Sequence, residues 1–150
     1  MAVGPFLTHE QGLRDQIAGV EDFLGAGVYA VLVTTTHTPD RATDTAYSSI
    51  SANESADADY SRQALGTKTV AVEGTNVRFN CGKITFTAEG DVSGRYLYLL
   101  YGTAASPVAG DRILGHIDLT GSGNAASVNA EFSFTPHASG LFEIQRSVAA

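Results

Sequence analysis

Two stretches of this chain are apolar at every position. Val28-Tyr29-Ala30-Val31-Leu32-Val33 is a continuous β-branched and aromatic run. Tyr96-Leu97-Tyr98-Leu99-Leu100-Tyr101 puts two tyrosines and Leu100 on one side, and Leu97, Leu99 and Tyr101 on the other. A strand with one wet face alternates apolar and polar residues, so strands written this way are covered on both faces. They predict the centre of a layered β structure.

The segments around them fill in that structure. Leu13, Ile17, Val20 and Leu24 fall at i, i+4, i+7 and i+11, one stripe at helical period, and predict a helix over 8–25. Thr8 with Gln11 fits a capping box, and Gly25 and Gly27 stop the helix. Ahead of it, residues 1–7 form an uncharged apolar arm, for which two fates are open. Phe6 and Leu7 fold back as a staple on the helix, or the arm docks on a neighbouring subunit. Residues 34–62 are polar, with Pro39 and many Ser and Asp, and predict a long surface loop. Val70-Ala71-Val72 and Val77-Arg78-Phe79 flank Glu73-Gly74-Thr75-Asn76, a hairpin signal. Ile84 and Phe86 alternate with polar residues, Ile113 to Leu119 is apolar, and Phe142 with Ile144 marks a last strand. Val128-Asn129-Ala130-Glu131-Phe132-Ser133-Phe134 alternates cleanly and predicts a strand with Val128, Ala130, Phe132 and Phe134 all inward. About eight strands, short connections and no second helix for crossovers predict a mainly β fold, a single antiparallel sandwich or flattened barrel over 28–146. With 150 residues and no internal repeat, a single domain is expected.

Charge narrows the partners. Nine Lys and Arg against 16 Asp and Glu give a net charge of −7, and the basic residues are scattered singly. A protein that grips phosphate backbones needs a positive face, so nucleic acid is not expected as a partner. No apolar run approaches the length of a membrane span, and the N-terminus lacks a signal-peptide pattern, so assembly in the cytosol is expected. Cys81 is the only cysteine, which rules out an internal disulfide. Folding is expected to need neither oxidation nor metal.

Several patterns resemble catalytic or binding motifs and fail on context. Gly121-Ser122-Gly123-Asn124 echoes a dinucleotide fingerprint, but a strand rather than a helix follows it, so no helix N-terminus meets a pyrophosphate. Asp57-Ala58-Asp59-Tyr60-Ser61 begins like a calcium loop, yet Arg62 and Lys68 stand where the turn glycine and the bidentate glutamate belong. His9, His37, His116 and His137 show no metal-ligand spacing and read as surface or hydrogen-bonding residues. Asn53-Glu54-Ser55 matches a glycosylation sequon, a pattern common by chance. No carboxylate pair stands out. No catalytic, cofactor-binding or metal-ligating residue is assigned, and the chain is expected not to be an enzyme. Tyr29, Tyr96, Tyr98 and Tyr101 read as core residues, with a subunit interface as the alternative.

Five segments, in order, resemble small structural proteins of tailed-phage particles, a family labelled variously head-decoration, minor structural or tail-fibre. They are 28–39 (VYAVLVTTTHTP), Ser51-Ala52-Asn53-Glu54 with Tyr60-Ser61-Arg62-Gln63-Ala64-Leu65 and Lys68-Thr69-Val70, 94–101 (GRYLYLLY), 114–119 (LGHIDL) and 140–144 (GLFEI). The resemblance spans residues 8 to about 145 and lies in order and spacing; Ala58-Asp59 departs from it where a glycine often precedes the tyrosine. It implies a virion component without catalytic residues. The expectation is a homo-oligomeric capsid decoration or cement protein that binds the major capsid protein, a trimer matching the shell's threefold positions. A tail, neck or fibre-base component is the runner-up, and a glycan-binding or glycan-cleaving virion protein the alternative of another class.

Overall fold

In the computed structural model, which describes residues 3–25 and 27–145, the two wholly apolar runs lie side by side as β2 (Val28–Val33) and β7 (Tyr96–Tyr101). Every residue of both strands is buried. β8 (Ile113–Asp118) pairs with the far side of β7, β1 (Phe6–Thr8) with β8, and the two-residue β3 (Gln63–Ala64) with β2. The resulting five-stranded antiparallel sheet runs β1-β8-β7-β2-β3.

A second sheet, β10-β5-β4, holds β4 (Thr69–Glu73), β5 (Asn76–Asn80) and β10 (Phe142–Gln145). A third pairs β6 (Ile84–Gly94) with β9 (Ala125–Phe134). The fold is mainly β, antiparallel and sandwich-like, as expected, and its sheets do not close into a barrel. The hairpin turns at Gly74, whose φ of 62° suits a residue without Cβ.

Alternation along β2 and β7 divides the interior in two. Val28, Ala30, Leu32, Leu97, Leu99 and Tyr101 face the larger core, built with Phe23, Phe79, Phe86 and Phe142. There the Phe79 and Phe142 rings stack at 4.4 Å, and Phe23 meets both edge-on. Tyr29, Val31, Val33, Tyr96, Tyr98 and Leu100 face the other way, with Ile50 and Ile113. The long 34–62 segment, with single 3-10 turns at Tyr47–Ser49 and Ser51–Asn53, supplies Ile50 and Tyr47 to this second cluster. The tyrosines are therefore core residues, with Tyr29 and Tyr98 fully buried.

The structure corrects the N-terminal region. The α-helix is α1 (Glu10–Ile17), eight residues long, and its N-cap is His9, without a side-chain cap bond. Thr8 makes no capping box because it is the last residue of β1, paired to Gly115. The helix ends at Ala18, followed by Gly19 at φ 69°. The expected apolar stripe does not form, because Val20 and Leu24 lie beyond the helix, and Ile17, Val20 and Leu24 are 69, 67 and 52% exposed. The buried side carries Gly12 and Asp15 instead. A Cβ on Gly12 would lie 2.3 Å from the Ile113 carbonyl oxygen, so only glycine lets the helix backbone sit this close to β8.

The 1–7 arm is likewise largely sheet. Met1 and Ala2 lie outside the described residues. Gly4 donates to the Asp118 carbonyl at 2.8 Å, Phe6 and Leu7 pair with β8, and the Phe6 ring stacks on Phe142 at 5.0 Å. Phe6 is thus a partner of β10 rather than a staple on α1.

β9 departs from its expected facing. Phe132 is buried, but Val128 is 71% exposed. Between Ala130 and Ser127 the strand carries an extra residue relative to β6, and Asn129 takes a φ of 47°. Such a bulge reverses the facing of the residues beyond it.

Candidate functional site

Polar side chains gather on the tyrosine face of the central sheet. His116 sits in β8 opposite Tyr98, and its ring stacks on the Tyr98 ring with centroids 5.3 Å apart. His9, held at the β1–α1 junction by its N–H bond to the Leu114 carbonyl, meets Tyr98 edge-on. His37 meets the same ring edge-on from the 34–62 segment. Three of the four histidines therefore surround one tyrosine.

Hydrogen bonds link them. His9 Nδ1 donates to the Asp44 carbonyl at 2.8 Å, and His9 Nε2 lies 2.8 Å from His116 Nδ1. The Asp44 carboxylate accepts from His37 Nε2 at 2.8 Å, from the Asp40 N–H at 3.0 Å and from Tyr98 Oη at 3.2 Å. His9, His116, Asp44 and Tyr98 are buried. Burial holds His9 below the usual histidine range. Burial, then the neighbouring His9, pushes His116 down to about 4. Burial, then the Asp44 charge, pushes the Tyr98 hydroxyl up.

A second network lies nearby. The Glu54 carboxylate accepts from Tyr47 Oη at 2.6 Å and Tyr60 Oη at 2.7 Å, and pairs with Arg62 Nε at 2.7 Å. Tyr60 Oη in turn accepts the Leu32 N–H at 3.1 Å. Tyr29 Oη donates to Asp111 at 2.9 Å, and burial with that bond raises its pKa. These groups fasten the 34–62 segment and the 102–112 loop onto β2 and β7. The Glu54 and Asp111 carboxylates and the Tyr29, Tyr47 and Tyr60 hydroxyls are all engaged in these bonds, an arrangement that fixes geometry.

The other singled-out residues lie apart from this site. His137 lies away from the three clustered histidines, in the turn before β10. Cys81 is buried, and burial pushes its thiol up to about 11. Asp57 accepts from Ser55 and Ser93, and Asp59 from the Asp91 N–H, so both carboxylates of the calcium-like stretch brace the chain. Gly121-Ser122-Gly123-Asn124 is the turn into β9. In the sequon, Ser55 is buried and the Glu54 side chain is 6% exposed. Among the described residues no group of three or more His, Cys, Asp or Glu is arranged to hold a metal ion, and no helix is long and apolar enough to cross a membrane.

A cleft of ≈ 960 Å³ lies between β1, β10 and the turn after β9, lined by Phe6, Arg78, Phe134, His137 and Phe142 among others. Glu143 is its one carboxylate, and Arg78 is paired with both Glu73 and Glu143. A smaller cavity of ≈ 240 Å³ beside β9 holds Glu131 alone. Neither touches the histidine cluster.

The chain matches no protein-family model, and no curated protein or solved structure is significantly similar to it.

The meeting of His9, His37 and His116 was not legible in their spacing. One local signal existed: His116 interrupts the apolar run from Ile113 to Ile117, and a histidine buried in a strand needs a polar partner.

Proposed function

We propose that this chain is a non-enzymatic structural protein of a tailed-phage particle, a capsid decoration or cement protein that binds the major capsid protein on the assembled shell. The observation that carries this reading is the division of the molecule's chemistry. Its buried histidines and the Asp44 and Glu54 carboxylates are engaged internally, while Ile17, Val20 and Leu24 are exposed. Of the residues that carry the phage-protein resemblance, Glu54, Tyr60, Arg62 and His116 sit in the internal networks, and Arg95 pairs with Asp118. In such a family these positions hold a scaffold, and the surface does the binding.

A protein that binds the assembled shell and not its free subunits stabilises the shell by linkage. Trimers at the threefold positions match the shell's symmetry and close the interface. The protein reaches the virion from the host cytosol, and the net charge of −7 suits an outer surface rather than contact with packaged nucleic acid.

Counting copies in purified particles by quantitative mass spectrometry tests the proposal. A cement protein approaches the number of major capsid subunits. A few copies per particle would place the chain in the tail or neck, and its absence from particles would reject the virion reading altogether. Val20→Asp should weaken binding to shells lacking the protein and leave the unfolding midpoint in place.

A further inference from the structure

The two buried histidines at the β1–α1 junction share a single bond whose proton count is constrained. The Asp44 carbonyl can only accept, so His9 Nδ1 carries a hydrogen. In the neutral ring His9 Nε2 is then an acceptor, and the hydrogen in the 2.8 Å contact belongs to His116 Nδ1. One added proton fits on the remaining nitrogen of His116, and the bond survives. A second proton must go to His9 Nε2, which would set N–H against N–H between two buried cations.

What this bond holds in place is the segment 34–46. Between those residues Asp44 is the single buried one, and no apolar side chain anchors the stretch. Its middle is attached by Asp44 to His9 and Tyr98, and by Arg41, whose carbonyl accepts the Glu10 N–H and whose Nε donates to the Thr8 carbonyl. Those attachments converge on the β1–α1 junction and the Tyr98 ring. The ends are tied separately: Thr34 and Thr36 bond to Asn53 and the Thr35 N–H to Asn124, while the Thr45 carbonyl accepts the Ile113 N–H and Ala46 pairs with Arg112.

We propose that the His9–His116 pair is an acid-sensitive latch, closed with no proton or one added and opened by the second, which frees residues 37–44 from the central sheet while the sandwich stays folded. The charged and titratable groups facing the pair are His37, Asp40, Arg41 and Asp44 from the segment, Tyr96 and Tyr98 from β7, and Asp118 from β8. Asp44, Asp40 and Asp118 favour protonation; burial and Arg41 oppose it, and burial is the largest effect. Both histidines therefore titrate below the ordinary value of 6.5, with His116 near 4. The latch is fully closed above pH 6.5 and opens only once the pH has fallen far enough for both lowered histidines to hold a proton. It does not depend on the virion reading.

Hydrogen exchange read by mass spectrometry on the full chain, stepped from about pH 7.5 to about pH 4 and corrected for intrinsic rates, tests it. Peptides covering 37–44 should exchange about tenfold faster or more at the acid end, while β2 and β7 peptides keep their protection. In His116→Gln, whose amide pairs with either form of His9 and does not titrate, that acid response should disappear. A response unchanged in His116→Gln would assign the opening to Asp44 and His37 and overturn the latch. Should that variant fail to fold, imidazole titration of the wild-type chain by NMR decides. Protonation of both His9 and His116 without loss of protection at 37–44, or no protonation before global unfolding, would also overturn it.

Discussion

Glu54 holds Arg62 at 2.7 Å between Oε1 and Nε, with the glutamate side chain 6% exposed and the arginine 33%. The carboxylate has left water and accepts from Tyr47 and Tyr60 as well, so this pair closes the 34–62 segment onto β2.

Glu54→Ala should therefore lower stability by about 2–4 kcal/mol, below the loss for a wholly buried pair because Arg62 can reach solvent. Tyr47→Phe should cost about 1 kcal/mol. Denaturant titration of the two variants gives the comparison, and equal small effects would mean the network adds nothing.

Deleting residues 1–7 should lower the unfolding midpoint, because it removes most of β1 and the Phe6–Phe142 stack. Burying a phenylalanine is worth about 1.5–3 kcal/mol, and part of that should be lost. An unchanged midpoint would instead restore the picture of a free docking arm.

Gly12→Ala should destabilise by about 2 kcal/mol or more, although alanine is the better helix former by about 1 kcal/mol. The new methyl would meet the Ile113 and Leu114 backbone at 2.3–2.8 Å, where nothing soft can move. Thermal melts that show a gain in stability would contradict the seating of α1 on β8.

Phe132→Asp should be severe, since it places a charge where the side chain is 8% exposed against Phe86. Glu131→Ala loses only an exposed pair with Lys83 and an exposed bond from Ser133, and should stay within about 0.5 kcal/mol. Val128→Asp should be as mild as Glu131→Ala. If Val128→Asp matched Phe132→Asp in a denaturant titration, the bulge at Asn129 would be misplaced.

Asp118 should contribute to the acid limb of stability. A hydrogen bond from Arg95, helped by the Gly121 and Thr120 N–H groups, holds its carboxyl down at about 2 against an ordinary 3.8. Its folded pKa is depressed, so the contribution is complete above pH 3.8 and is lost as the pH falls through 2. The amount is of order 1–2 kcal/mol once solvent screening is allowed for. Asp118→Asn should narrow the stability difference between about pH 6 and about pH 2 by that amount, measured by denaturant unfolding at each pH. An unaltered difference would remove Arg95–Asp118 from the account.

Local pattern determined much of this protein. The all-apolar runs specified β2 and β7 as central strands, the Gly74 turn specified the β4–β5 hairpin, and the change of period after Gly27 separated helix from sheet. These depend on side-chain spacing and backbone preference over a few residues, which a sequence states directly. Facing and convergence were decided elsewhere. The stripe at Ile17, Val20 and Leu24 has the period of a core face, yet the helix ends at Ile17, so the later two never join it and all three face solvent. The bulge at Asn129 turned Val128 to solvent. His9 and His116 stand 107 residues apart and meet only because β1 pairs with β8. Spacing along a chain says which residues share a face, but long-range backbone pairing decides what that face meets.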